Sequence, residues 1–503
     1  MVVGLRYNFR CFLYYMSRVN KLNYYRQKMY FCAMGKRKTD RIVFTNVEVL
    51  DAGAKGVSVA KAPDGKVIFI PNVVPGDVVD VQTFKKRKAY YEGKAVHVHE
   101  YSADRVIPQC QHFGSCGGCK WQNMNYEKQL YYKNNEVFNH LKRIGKIELP
   151  EFEPIKGSEK QFYYRNKMEF SFSNARWITD AEAQSGEDIE RGNALGFHIP
   201  RMWDKILDIT HCHLQEDPSN AIRNSVRDFA NEHGLAFFNP REHSGLLRTL
   251  MIRTASTGEI MVLIQFFDNN KKERELILNH LANTFPSITS LQYVVNQKAN
   301  DTLYDQDVIL FKGRDFILEE MEGLTFKINA KSFYQTNSDQ AYELYSITRD
   351  FAGLTGNELV YDLYTGTGTI AQFVSRKAKK VVGVEAVPEA IADAKENAVR
   401  NNITNCEFFV GDMKDVFNAE FIETHGHPDV IITDPPRDGM HKDVVDQILR
   451  IAPQRVVYVS CNSATQARDL ALMDEVYKVT RVRPVDMFPQ THHVENVVLL
   501  EKR

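Results

Sequence analysis

The stretch VVYVSCNSAT, residues 456–465, sets Cys461 just past an apolar, mostly β-branched run that reads as a buried strand. A cysteine at a strand end is often a small packed hydrophobe, and a thiol is a nucleophile only as the thiolate. Three features point to chemistry. The strand belongs to an alternating strand–helix pattern, so Cys461 lies at the sheet edge where such folds bind ligands. Residues 462–469 can open a helix, whose N-terminus would lower the thiol pKa. Glu495, in HHVENVVLL, opens the last strand and supplies a carboxylate, with His492 and His493 as rival bases.

A second set is made of cysteines. Cys110, Cys116 and Cys119 occupy a compact glycine-rich loop, and Cys212 in THCHLQ is the best fourth member. Four cysteines suit a [4Fe–4S] cluster or zinc, and their spacing leaves both open. A third set surrounds YDLYTGTGTIA. Gly366 and Gly368 permit a tight turn at a helix start and close approach of a ligand. Glu385 ends the next strand, where an acid can accept hydrogen bonds from a ribose diol. Asp412 in VGDM and Asp434 in IITDPPR end the following strands, and Pro435 and Pro436 stiffen the loop after Asp434. This set predicts a bound nucleoside, with S-adenosylmethionine a better fit than NAD.

A nucleophile and a base beside a methyl donor suit one reaction. C5 of uracil is a poor nucleophile. Addition of a thiolate to C6 makes an enolate whose C5 can attack a methyl sulfonium. A base then removes the C5 proton and the thiol is eliminated.

These residues need elements to hold them. From residue 331, LVYDLY, KVVGVEA, CEFFVG, DVIITD, RVVYVS and ENVVLLE alternate with helical stretches, which predicts a doubly wound α/β domain over 331–503. Residues 41–100 read as short strands broken by turns such as Asp64-Gly65, and predict a small barrel. Its run FKKRKAYY sets Lys85, Lys86, Arg87 and Lys88 among aromatic rings, a mix suited to RNA. Residues 101–330 mix strands and helices after the cysteine loop, and YEKQLYYKNNEVFNHLKRIG reads as a helix with an apolar face of Leu130, Val137, Phe138 and Leu141. Residues 1–40 are basic and read as a disordered or mis-annotated extension, with Met34 as the true start.

Composition limits the partners. The 503 residues carry zero formal net charge, so nucleic acid must be met by a local patch. Eight unevenly spaced cysteines fit a reducing cytoplasm better than a disulfide scaffold. No apolar run approaches the length of a membrane span. An iron–sulfur oxidoreductase using NAD or FAD would explain the glycine loop and the cysteines, but not DPPR, SCN or Glu495. A non-catalytic RNA-binding protein would use the barrel alone and tolerate loss of Cys461.

CGGCKWQ, YYRNKMEF, LGFH, SFYQTN, DLYTGTGT, DPPRDGM, YVSCNSATQARDL and FPQTHHVENVVLL together resemble the RNA uracil-C5-methyltransferases, most nearly the iron–sulfur branch acting on 23S ribosomal RNA. The resemblance runs over about residues 41–503. It implies an N-terminal TRAM domain (an OB-like β-barrel), a central α+β domain with a [4Fe–4S] cluster, and a Rossmann-like methyltransferase domain. By the same resemblance, Cys461 is the nucleophile and Glu495 the proton acceptor. Gln335, Tyr364, Glu385, Asp412 and Asp434 line the S-adenosylmethionine site, and Cys110, Cys116, Cys119 and Cys212 hold the cluster. The expected partner is RNA, with transfer RNA as the alternative substrate. A cytoplasmic monomer without membrane contact is expected. The chain departs from the family in having Thr365 and Ser463 where Cys and Pro are common, and neither change removes a reacting group. The RNA contacts would include Arg165 and Lys167 of YYRNK.

Overall fold

The computed structural model describes residues 41–189 and 191–503, so the expectation for residues 1–40 lies outside the described residues. Five strands, Val43–Ala52, Ser58–Lys61, Val67–Ile70, Val78–Lys86 and Tyr90–Glu100, close into the expected barrel. Period-two alternation turns Val49, Ala60, Ile68, Ile70, Val79 and Val81 into one core. Gly65 adopts φ +82°, which the turn between the second and third strands requires.

The central region builds a seven-stranded sheet from strands between Lys167 and Gly313. Ile260–Phe266 and Ser290–Val295 pair in parallel there, and the sheet's other neighbouring strands pair antiparallel. Helices Ser219–Glu232 and Lys271–Thr284 cover one face, packing Ile222, Val226, Ile277 and Leu281 against it. The other face sends Met251, Met261 and Leu263 into a core shared with Phe326, Val360 and Ala394, so residue 330 falls inside continuous packing.

The C-terminal sheet has parallel strands Leu359–Leu363, Lys380–Glu385, Cys406–Val410, Val430–Thr433 and Arg455–Ser460. Counted along the chain, these five and the two that follow stand in the order third, second, first, fourth, fifth, seventh, sixth. The order reverses between Leu359–Leu363 and Val430–Thr433, which opens a ligand crevice at their carboxyl ends. The sixth strand, Tyr477–Val485, escapes the sequence pattern because Arg481, Arg483 and Pro484 interrupt its apolar alternation. Helix Tyr126–His140 shares a core with this sheet's helix Ser463–Met473 through Val137, Ala467 and Leu470. No helix among the described residues is long and apolar enough to cross a membrane.

Candidate active site

At the crevice, strand Leu359–Leu363 ends in a turn with Tyr364 at φ +65°, Gly366 at +56° and Gly368 at +75°. The two glycines do different work. A Cβ at Gly368 would lie 2.9 Å from Ala394 and Phe408, so this glycine serves helix-to-sheet packing. A Cβ at Gly366 would meet nothing within 4 Å, so its backbone faces open space. Glu385 stands beside it and accepts from Gly366 N at 3.2 Å and Val387 N at 3.0 Å. Asp362, which sequence reasoning passed over, lies buried beneath the turn and accepts from Thr365 Oγ1 at 2.5 Å. Burial pushes its carboxyl up to about 7.

The other predicted crevice residues differ in exposure. Asp412 is exposed and tied to Lys414 at 3.2 Å, which holds its carboxyl below the usual range. It is near enough to Tyr364 to help burial raise that phenol. Gln335 sits in the loop before helix Ser338–Ala352, and its carbonyl accepts from Asn166 Nδ2 at 2.9 Å. Asp434 lies where burial, aided by Asp362, pushes its carboxyl up to about 7.

Cys461 follows strand Arg455–Ser460, and helix Ser463–Met473 begins beyond it as expected. Asn462 caps that helix by accepting from Ala464 N at 3.1 Å. The expected lowering of the thiol pKa is overturned. Burial, with Glu495 and Asp434 nearby, pushes Cys461 up to about 11, and Arg437 only partly opposes them. Glu495 is itself buried at the start of the last strand, and burial with Asp434 pushes it up to about 8. His492 and His493 go the other way, since burial drives them down to about 3 and about 4. The loop after Asp434 is pinned to the Cys461 helix. Asn462 Nδ2 donates to Arg437 O at 2.9 Å, and Asp469 accepts from Met440 N at 2.9 Å and Tyr458 OH at 2.7 Å.

Cys110, Cys116, Cys119 and Cys212 are free thiols that line one cavity of about 700 Å³. Burial pushes Cys116 and Cys119 up to about 12. Among the described residues no group of three His, Cys, Asp or Glu side chains could hold a metal ion. The same cavity runs past Arg165, Lys167 and Arg437 to His493, so it joins the cysteine wall to the edge of the Cys461 site. Arg165 places its guanidinium 5.9 Å from the Phe488 ring centre, and Lys167 pairs with Glu169 at 2.7 Å.

Known proteins are similar to this chain in sequence and fold. The sequence pattern of the tRNA (uracil-5-)-methyltransferase family matches residues 257–503, and that of the TRAM domain matches residues 45–96. An uncharacterized RNA methyltransferase of Bacteroides thetaiotaomicron is 60% identical over 453 residues, covering 90% of this chain and 100% of that protein. Another, of Porphyromonas gingivalis, is 54% identical over 461 residues, covering 90% of this chain and 99% of that protein. The solved structure of Pyrococcus abyssi tRNA (uracil-54, C5)-methyltransferase in complex with S-adenosyl-L-homocysteine aligns with a TM-score of 0.70 at 27% identity. It covers 90% of this chain and 100% of that one. Sequence and architecture agree, and the chain belongs to the RNA uracil-5-methyltransferase family.

Proposed function

We propose that this enzyme methylates C5 of one specific uridine in 23S ribosomal RNA, with Cys461 as nucleophile and Glu495 as proton acceptor. The carrying observation is their placement. The thiol and the buried carboxylate stand close enough at the sheet edge for the carboxylate to raise the thiol pKa. Cys461 as thiolate forms a bond from Sγ to C6. That addition pushes the C5=C6 electron pair into an enolate, and its C5 gains the methyl group. Glu495 then takes the proton that C5 still carries, the C5=C6 bond re-forms, and the Cys461 sulfur leaves as thiolate. The target uridine must leave its stack, so it belongs to a loop or is flipped out.

Gln335, Tyr364, Glu385, Asp412 and Asp434 would hold S-adenosylmethionine. The open space at Gly366 and the S-adenosyl-L-homocysteine bound by the Pyrococcus abyssi enzyme support this reading. S-adenosylmethionine supplies an electrophilic methyl carbon. Cys110, Cys116, Cys119 and Cys212 would hold a [4Fe–4S] cluster. All four line one cavity, which supports a shared site, with zinc as the alternative occupant. The cluster's part would be structural, since methyl transfer needs no electron. RNA is the partner of a cytoplasmic monomer in this reading.

The 23S assignment rests on the motif resemblance around the cysteine loop. The transfer RNA named for the Pyrococcus abyssi enzyme favours a second substrate reading. Mapping 5-methyluridine in cells with and without the gene separates them. Loss of one 23S position supports the first reading, loss from transfer RNA the second, and no loss overturns both. Glu495→Gln should trap a covalent protein–RNA adduct on denaturing gels, and absence of that adduct would remove Glu495 from its role.

A further inference from the structure

The loop from Asp486 to Val494 delivers Glu495 to the site, and its middle is held from far away in the chain. Lys120 N and Trp121 N both donate to Gln490 O, at 2.8 and 3.1 Å. Gln129 brackets the same residue: its Oε1 accepts from Gln490 N at 2.9 Å, and its Nε2 donates to Gln490 Oε1 at 3.0 Å. One turn further along helix Tyr126–His140, Lys133 donates to Asp486 Oδ1 at 2.5 Å and Phe488 O at 3.1 Å. Tyr126 OH donates to Asp486 Oδ2 at 2.9 Å. Lys133 and Asp486 are fully buried, and Gln129 is nearly so.

This clamp is costly to build. Gln490 sits at φ +67°, a conformation that a glutamine adopts only when its surroundings impose it. A buried lysine, aspartate and glutamine all need polar partners, which helix and loop supply to one another, although Gln129 Nε2 also donates to Trp121 O and Met124 O. An apolar helix face would pack as well without them. What the polar face adds is a fixed register for a loop that ends five residues later at Glu495. The clamp also begins directly after Cys119, so the chain that leaves the cysteine loop is the chain that grips the catalytic loop.

We propose that Gln129 and Lys133 are positioning residues for methylation, acting through Gln490 and Asp486 to aim Glu495 at the C5 proton. The inference rests on Glu495 being the proton acceptor. It predicts that loosening the clamp harms proton removal more than thiol addition.

The test uses the full-length enzyme, S-adenosylmethionine and a transcript of its own RNA made with 5-deuterated uridine. Gln129→Leu removes both side-chain bonds to Gln490. We expect turnover to fall about 10²-fold, since small misplacements of reacting groups cost that much. We also expect a covalent protein–RNA adduct to accumulate, deuteration to slow the variant but not the parent, and KM for RNA to hold. Unchanged turnover, or a fall with neither adduct nor isotope effect, would overturn the proposal. If Gln129→Leu fails to fold, Gln490→Gly decides by the same readouts. Glycine accepts the left-handed backbone, and that change loses only one bond to Gln129. Glu495→Gln serves as the reference. An adduct with Glu495→Gln but with neither clamp variant overturns positioning alone, whereas no adduct with Glu495→Gln removes the base assignment itself.

Discussion

In the proposed mechanism Cys461 and Glu495 both act without their protons, and their surroundings oppose this. Burial, Glu495 and Asp434 raise the thiol to about 11, and burial and Asp434 raise the Glu495 carboxyl to about 8. A group that works deprotonated and is raised gains activity as pH rises toward its pKa. We therefore expect kcat/KM to climb from about pH 6 to about pH 10, where a thiol lowered by the helix N-terminus beside an ordinary carboxylate would leave it flat. A pH–rate profile level above pH 6 would contradict this. The same shifts bear on the choice of base. His492 and His493, driven to about 3 and about 4, are weak bases near neutrality, whereas Glu495 is a strong one. Cys461→Ala should abolish methylation while RNA binding survives, measured by methyl incorporation and filter binding, and substantial residual turnover would rule out the nucleophile role. Residue types and motif singled out Cys461 and Glu495 in the sequence, and the fold sets them close enough to interact. The direction of the thiol shift was not legible, because Asp434 and Glu495 meet Cys461 only in the fold. Asp362 was missed for the same reason: its importance lies in burial beneath the glycine turn.

Elements whose own periodicity decides their packing were readable, and those fixed by distant polar partners were not. The parallel strands are β-branched and buried on both faces, which marks them as a continuous apolar run. Helix Tyr126–His140 was found, and Val137 and Leu141 of its expected apolar face are buried while Phe138 is exposed. The polar Gln129 and Lys133 are buried as well, since the helix docks on the polar Asp486–Gln490 loop. The glycine turn gives a prediction at this scale. Gly368→Ala meets both a positive φ and atoms at 2.9 Å, so it should destabilise by about 1–3 kcal/mol. Gly366→Ala meets only the conformational cost, about 1 kcal/mol. Thermal unfolding should rank Gly368→Ala as the worse variant. Calorimetric binding of S-adenosylmethionine should weaken for Gly366→Ala, whose added methyl enters the open space. A Gly366→Ala enzyme that binds normally would mean that the cofactor lies elsewhere.

At the scale of the whole molecule, neutral net charge forces RNA affinity onto patches, and the fold decides which cations are free to form them. The barrel run was read as four available cations. Lys85 is not one of them: it pairs with Glu92, which also faces Arg201 at 3.5 Å. Lys86, Arg87 and Lys88 remain exposed at the turn between strands Val78–Lys86 and Tyr90–Glu100. The barrel is also fitted against the loop that leads to Glu495. A Cβ on Gly56 would lie 2.8 Å from the Lys120 side chain and 3.3 Å from the Cβ of His492. RNA gripped by the barrel turn is therefore gripped by a body in contact with the active-site loop. If Arg87 and Lys88 each neutralise one phosphate of single-stranded RNA, the double variant Arg87→Ala/Lys88→Ala should flatten the slope of log Kd against log salt by about 1.4. Turnover at saturating RNA should stay unchanged, because neither side chain lines the Cys461 site. An unchanged slope would place the RNA path on the Arg165 and Lys167 wall of the cavity instead, and the barrel would then serve chiefly as a support for the catalytic loop.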